Sequence, residues 1–261
     1  MFKATKSILP LALACSLALP GSVHAAESAT SPEMVGSVYN VSVAPDQTLA
    51  FESGIKTWIA CLKQNDYKFG FAAWEAATGK TGYVFTTPSD TWASMDKDAA
   101  DPAGKACAKS FADNVLAHTK SMEAAIYVDK PDMSKPPAAS EQMPKYVVVD
   151  EYDLQMGKFD DFKTAATKYT EAAVKSKWGQ YWWTSTLVFG GRHAADVVIV
   201  SPAESWAEIG KPASPKAKAM LEGVYGKDAT KTLYGQFMDA VKHHTSNVYR
   251  YNKDLSYTPS K

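Results

Sequence analysis

From Tyr146 to Asn252 the hydrophobic and polar positions change period in a definite order. Tyr146 to Tyr152 reads YVVVDEY, a β-branched and aromatic run that predicts a strand. Over Lys158 to Lys177 the side chains of Phe159, Phe162, Ala166, Tyr169 and Ala173 recur at spacings of three and four, the stripe of an amphipathic helix. Gln180 to Phe189 predicts a second strand, Gly190-Gly191 supplies a turn, and Ala194 to Ser201 returns as the other arm of a hairpin. A helical region follows from Ala203 to about His244, interrupted around Lys211 to Pro215 and Gly223 to Lys227, and Val248 to Asn252 predicts the last strand.

The first half of the chain repeats this order. It predicts strands over Val38 to Val43, Lys68 to Glu75, Gly82 to Thr86 and Ala124 to Asp129, with a helix from Thr48 to Gln64 and a helical region from Asp90 to about His118. The echo extends to single residues: Pro88, Trp92 and Ala93 each stand 114 positions before Pro202, Trp206 and Ala207. Each copy reads as a strand, a Pro stop and a helix start, and His118-Thr119 and His244-Thr245 each end a helical region. Such self-similarity marks a duplicated supersecondary unit. The predicted fold class is α+β, with two tandem βαββαβ ferredoxin-like repeats over residues 26–134 and 144–261 joined by a Pro-rich linker, 135–143.

The strands are apolar on both faces. In the second copy Trp182, Thr184 and Val188 alternate with Trp183, Leu187 and Phe189. Helices of the same unit can cover one face, and the sheet of the sister repeat is the obvious cover for the other, packed face to face. In this topology the chain resembles the dimeric α+β barrel superfamily, here as a pseudo-dimer within one chain. Members of that superfamily include cofactor-free oxygenases, haem-binding enzymes such as chlorite dismutases and dye-decolourising peroxidases, isomerases, and proteins without known activity. The resemblance implies a shared interior between the sheets and leaves the chemistry open.

The ends of the chain alter the compartment. Lys3 and Lys6 precede an apolar run from Ile8 to Leu19, and Val23-His24-Ala25 closes it with small residues, so residues 1–25 predict a signal peptide cleaved after Ala25 and a periplasmic or secreted protein. No later run approaches the roughly 20 apolar residues of a membrane-spanning helix. Removing residues 1–25 leaves 26 basic against 28 acidic side chains. Only Arg192 and Arg250 are arginines and the lysines are scattered, which argues against a nucleic-acid partner. An oxidising exported environment favours pairing Cys61 with Cys107, with two separate buried thiols as the alternative.

No nucleophile elbow, Walker loop, Cys-x-x-Cys pair or His-Glu-x-x-His motif is present, and the few histidines are too dispersed for a metal cluster. No catalytic residue is identified. The candidate ligand-binding set is Arg250, Tyr152, Trp182, Trp74 and His193. The aromatic members would wall a cavity between the sheets. Arg250 would either orient an anionic group there or pair structurally with Asp150 or Glu151. His193 follows the Gly190-Gly191 turn and stands beside Arg192. The expectation is therefore an exported, non-catalytic protein that binds a small, partly apolar ligand without a cofactor. The alternative is a barrel enzyme of the cofactor-free oxygenase or haem-using kind.

Overall fold

The computed structural model of the protein describes residues 34–138 and 142–259. The expected signal peptide and linker residues 139–141 lie outside the described residues. The first half contains β1 (Val35–Ser42), α1 (Thr48–Gln64), β2 (Ala72–Ala76), β3 (Tyr83–Ser89), α2 (Trp92–Ala100), α3 (Pro102–Ala106), α4 (Ala108–Asn114) and β4 (Ser121–Asp129). The second contains β5 (Tyr146–Leu154), α5 (Phe159–Lys175), β6 (Trp183–Phe189), β7 (Val197–Ala203), α6 (Trp206–Ile209), α7 (Ala217–Tyr225), α8 (Lys227–Ala240) and β8 (Val241–Tyr251).

All strands pair antiparallel and close into one barrel in the order β1-β3-β2-β8-β5-β7-β6-β4. The first four strands therefore run β4-β1-β3-β2 and the last four β8-β5-β7-β6. The two groups of strands do not stack as separate sheets; they join edge to edge. One seam sets Trp74, Glu75 and Ala76 of β2 against Tyr251, Arg250 and Tyr249 of β8. The other pairs β4 with β6, through Tyr127 with Leu187 and Asp129 with Ser185. Two open four-stranded sheets would leave four edges of unpaired N–H and C=O groups, and closure sets each edge against another, over three residue pairs at the first seam and four at the second.

Period two then sorts the side chains. Outward-facing Val41, Ala73, Tyr83 and Phe85 pack beneath Phe51, Ile55 and Leu62 of α1 in one core. On the other half, outward Tyr152 and Val197 pack with Phe162 of α5 and Phe237 of α8, while Trp178 and Trp182 pack with Met220 and Leu221 of α7. Burial of a Phe or Leu side chain stabilises the fold by about 1.5–3 kcal/mol. Gly54 lets α1 and α4 touch, since a Cβ there would lie 1.8 Å from the Asn114 carbonyl oxygen. The Cys61 to Cys107 disulfide ties α1 to the α3–α4 junction, with Cα atoms 5.9 Å apart.

Two sequence expectations are corrected. The last helix ends at Ala240 and β8 begins at Val241, so His243 and His244 are strand residues, while His118 closes a short 3-10 turn at Leu116–His118. The long edge of β5 explains the change, because β8 pairs with it from Val241 opposite Leu154 to Arg250 opposite Tyr146. Pro88 and Pro202 are not strand stops: they lie within β3 and β7, opposite Gly36 and Val147. The matching helix starts follow, with Thr91 Oγ1 accepting from Ser94 N at 3.2 Å and Ser205 Oγ accepting from Glu208 N at 3.1 Å. No helix among the described residues is long and apolar enough to cross a membrane.

Candidate functional site

With the outward side chains taken up by helices, the inward ones enclose a cavity of about 1110 Å3. It lies toward the end of the barrel where β1, β2, β5 and β6 begin and β3, β4, β7 and β8 finish. Apolar walls come from Val38, Val84, Val147, Val149, Val198 and Val200, and aromatic walls from Trp74, Tyr127, Trp183, Tyr249 and Tyr251. Pro136 and Met143 of the linker, Pro144 directly after it, and Tyr257 and Pro259 of the C-terminal segment line it near this end.

Of the five ligand-binding candidates, Trp74 lines the cavity. Its Nε1 donates to Thr86 Oγ1 at 3.2 Å, and its ring meets that of Tyr251 at 5.3 Å across the β2–β8 seam. Tyr152 points outward, with its ring 5.6 Å from Phe162, 5.6 Å from Phe237 and 4.6 Å from His244. Trp182 is also outward, its Nε1 donating to the Met133 carbonyl at 2.8 Å. Arg250 stands on the outer face, and its Nη2 donates to Glu75 Oε2 at 2.7 Å. His193 is exposed in the turn between β6 and β7.

The inward residues are the immediate neighbours of three of these candidates: Glu151, Trp183, Tyr249 and Tyr251. A step of one residue reverses the face. In β6 and β7 apolar side chains occupy both faces, so alternation carries no phase signal there. In β8 the charge of Arg250 between Tyr249 and Tyr251 is the signal that places the tyrosines inside. The carboxylates considered as partners for Arg250 serve elsewhere. Asp150 Oδ1 meets His244 Nε2 at 3.0 Å, and Glu151 Oε2 accepts from Thr245 Oγ1 at 3.0 Å.

Sequence reasoning missed Asp129. It ends β4 and lines the cavity, with Ser185 Oγ donating to its Oδ1 at 2.6 Å. Burial raises its proton affinity above the ordinary carboxyl range, and the Ser185 hydrogen bond acts in the opposite direction. Burial also raises the Tyr249 hydroxyl, with the Glu151 charge adding to it. Glu204 and Glu208 add two further carboxyls to the lining, and no lysine, arginine or histidine lines it among the described residues. The anchor for an anionic group expected of Arg250 is therefore not inside the cavity.

The haem-using alternative depends on where the histidines lie. His118 Nδ1 is bonded to Gln47 Oε1 at 2.9 Å, His244 is held by Asp150, and His193 is in an exposed turn. Among the described residues no histidine lines the cavity, His243 included, so its side chains do not fit a histidine-ligated haem.

No family model and no curated protein matches the chain. Solved structures do match its fold. A candidate monooxygenase from Fusobacterium nucleatum superposes with a TM-score of 0.55 at 10% identity, covering 86% of this chain and 94% of that one. An anthrone oxidase-like protein gives 0.53 at 13% identity over 85% and 92%, and a candidate monooxygenase from Lactobacillus acidophilus gives 0.51 at 8% over 87% and 96%. At these identities the likeness is one of fold. The protein has a mixed α/β fold with neighbours of the dimeric α+β barrel type.

Proposed function

We propose that this chain is an exported binding protein whose barrel interior takes up a small, largely apolar organic molecule. The observation that carries the reading is the cavity itself. Its volume of about 1110 Å3 is just above the roughly 300–1,000 Å3 of typical ligand pockets, and valine and aromatic side chains supply most of its wall. A side chain turned into a barrel of this size would ordinarily fill it. Here space remains, and polar groups, among them Thr86, Ser185, Asp129 and Glu151, are set into an apolar surface.

The proposal includes a tandem duplication of a ferredoxin-like unit over residues 26–134 and 144–261. The shared strand order, the matched caps Thr91 and Ser205 and the 114-residue echo support it. Export through a leader cleaved after Ala25 is supported by its sequence and by the Cys61–Cys107 disulfide. The test of the binding reading is a titration with the neutral apolar dye Nile red, read by blue-shifted emission. One saturable site per chain is expected, and absence of saturable binding contradicts the proposal.

Asp129 favours a second reading, in which the bound molecule is a substrate and this carboxylate accepts a proton from it. The fold neighbours described as candidate monooxygenases and as anthrone oxidase-like support that reading. Oxygen uptake with anthrone, lost in Asp129→Asn, would favour it over simple binding, and no uptake would count against it.

A further inference from the structure

The cavity carries charge of a single sign. Asp129 and Glu151 face it from β4 and β5, Glu204 and Glu208 add to its lining, and no basic side chain lines it among the described residues. The register places the two inner carboxyls on one row: Glu151 opposes Val198, Val198 opposes Ser185, and Ser185 opposes Asp129. About three strand spacings of ~4.8 Å separate them along the sheet, and closure of the barrel turns both toward the common interior. Neither has an ion-pair partner among the described residues. Ser185 and Thr245 give them only neutral hydroxyl donors, at 2.6 and 3.0 Å.

A partly desolvated carboxylate without a counter-charge is unfavourable unless something positive approaches it. The wall around these carboxyls adds a second, independent preference. Trp74, Trp183, Tyr249 and Tyr251 line the same cavity, and the faces of such rings attract cations electrostatically. An anionic ligand would meet carboxylates and negative ring faces.

Resting on the reading of the cavity as a binding site, we infer that its preferred ligand is an organic cation: a protonated or quaternary amine on an apolar or aromatic body. The ammonium group is drawn to Asp129 and Glu151, and the body lies against the valines and aromatic rings.

The test uses three pyrene probes of matched shape at pH 7.5: the cation 1-pyrenemethylamine, the neutral 1-pyrenemethanol and the anion 1-pyrenecarboxylate. Affinities are read by fluorescence titration of the mature protein. The amine should bind at least about tenfold more tightly than the alcohol, and the carboxylate more weakly than either. In Asp129→Asn and in Glu151→Gln the advantage of the amine should shrink toward that of the alcohol, with binding of the alcohol unchanged. The charge series on the unaltered protein stands even if a variant folds poorly. Equal binding of amine and alcohol overturns the inference and leaves the cavity reading intact, as does a uniform loss for all three probes in both variants. Failure of all three to bind saturably overturns the cavity reading and the inference with it.

Discussion

Glu75 and Arg250 face each other across the β2–β8 seam, with the guanidinium Nη2 2.7 Å from the carboxylate Oε2, on the outer surface of the barrel. The pair sits on one of the two junctions that close the barrel, yet the arginine side chain is 53% exposed. Exposed ion pairs contribute about 0.2–1 kcal/mol. Arg250→Met should therefore lower the melting temperature by only a few degrees and leave dye binding unchanged. Loss of dye binding in a folded Arg250→Met protein would show that the arginine reaches the ligand after all.

Gly54 gives a sharper prediction for stability. The Asn114 backbone oxygen lies where a Cβ would be, at 1.8 Å, and neither helix has a flexible side chain at that contact to yield. Gly54→Ala should destabilise by more than the ~1–3 kcal/mol typical of overpacking, despite the better helix propensity of alanine. Chemical denaturation measures it, and an unchanged midpoint would mean that α1 and α4 are further apart.

The disulfide spans 46 residues of sequence. Closing a loop of that length restricts the unfolded chain by about 4 kcal/mol in the entropy model. Cys61→Ser with Cys107→Ser should lower stability by about 2–4 kcal/mol, and reductant should have no effect on that variant. Equal melting of the oxidised wild type and the double variant would contradict the bridge.

Asp129 connects stability to pH. Burial makes the folded state hold the Asp129 proton more tightly than the unfolded chain does. The protonated form therefore favours folding. That contribution is full below the ordinary carboxyl range and is lost as pH rises from the ordinary value through the raised one. Asp129→Asn removes the titration and keeps an acceptor for Ser185. The variant should melt higher than the wild type at neutral pH and lose that advantage near about pH 3. A variant that melts lower at neutral pH would show that the carboxylate is stabilising.

Much of the fold was legible because local signals agreed with one another. The α5 stripe, the Gly190-Gly191 turn and the repeated spacing of Pro and Trp before a helix start are short-range features. The edge-to-edge closure was not legible, since it depends on strand pairing between residues as distant as Glu75 and Arg250. The candidate site suffered from a related limit. The sequence located the strands that line the cavity, but Tyr152, Trp182 and Arg250 are one residue out of phase with the inward set. In strands apolar on both faces, side-chain type does not reveal which face points inward. Asp129 was hidden for another reason: a lone carboxylate at a strand end looks like a solvated surface group until β6 places Ser185 beside it.

Dye binding with and without the cavity tests the central claim most directly. Val38 and Val200 face the interior from strands three places apart in the barrel order, and Val38→Trp combined with Val200→Trp would fill the space between them. Competing locations for an apolar dye are the exposed rings of Trp92 and Trp206, 47% and 50% exposed, which pack against Phe189 and Tyr146 respectively. Nile red should bind the wild type and the Trp92→Ala, Trp206→Ala variant alike, and should bind the filled barrel at least tenfold more weakly, with the circular dichroism spectrum retained. Unchanged affinity in the filled barrel, or loss of binding in the surface variant, would contradict an interior binding site.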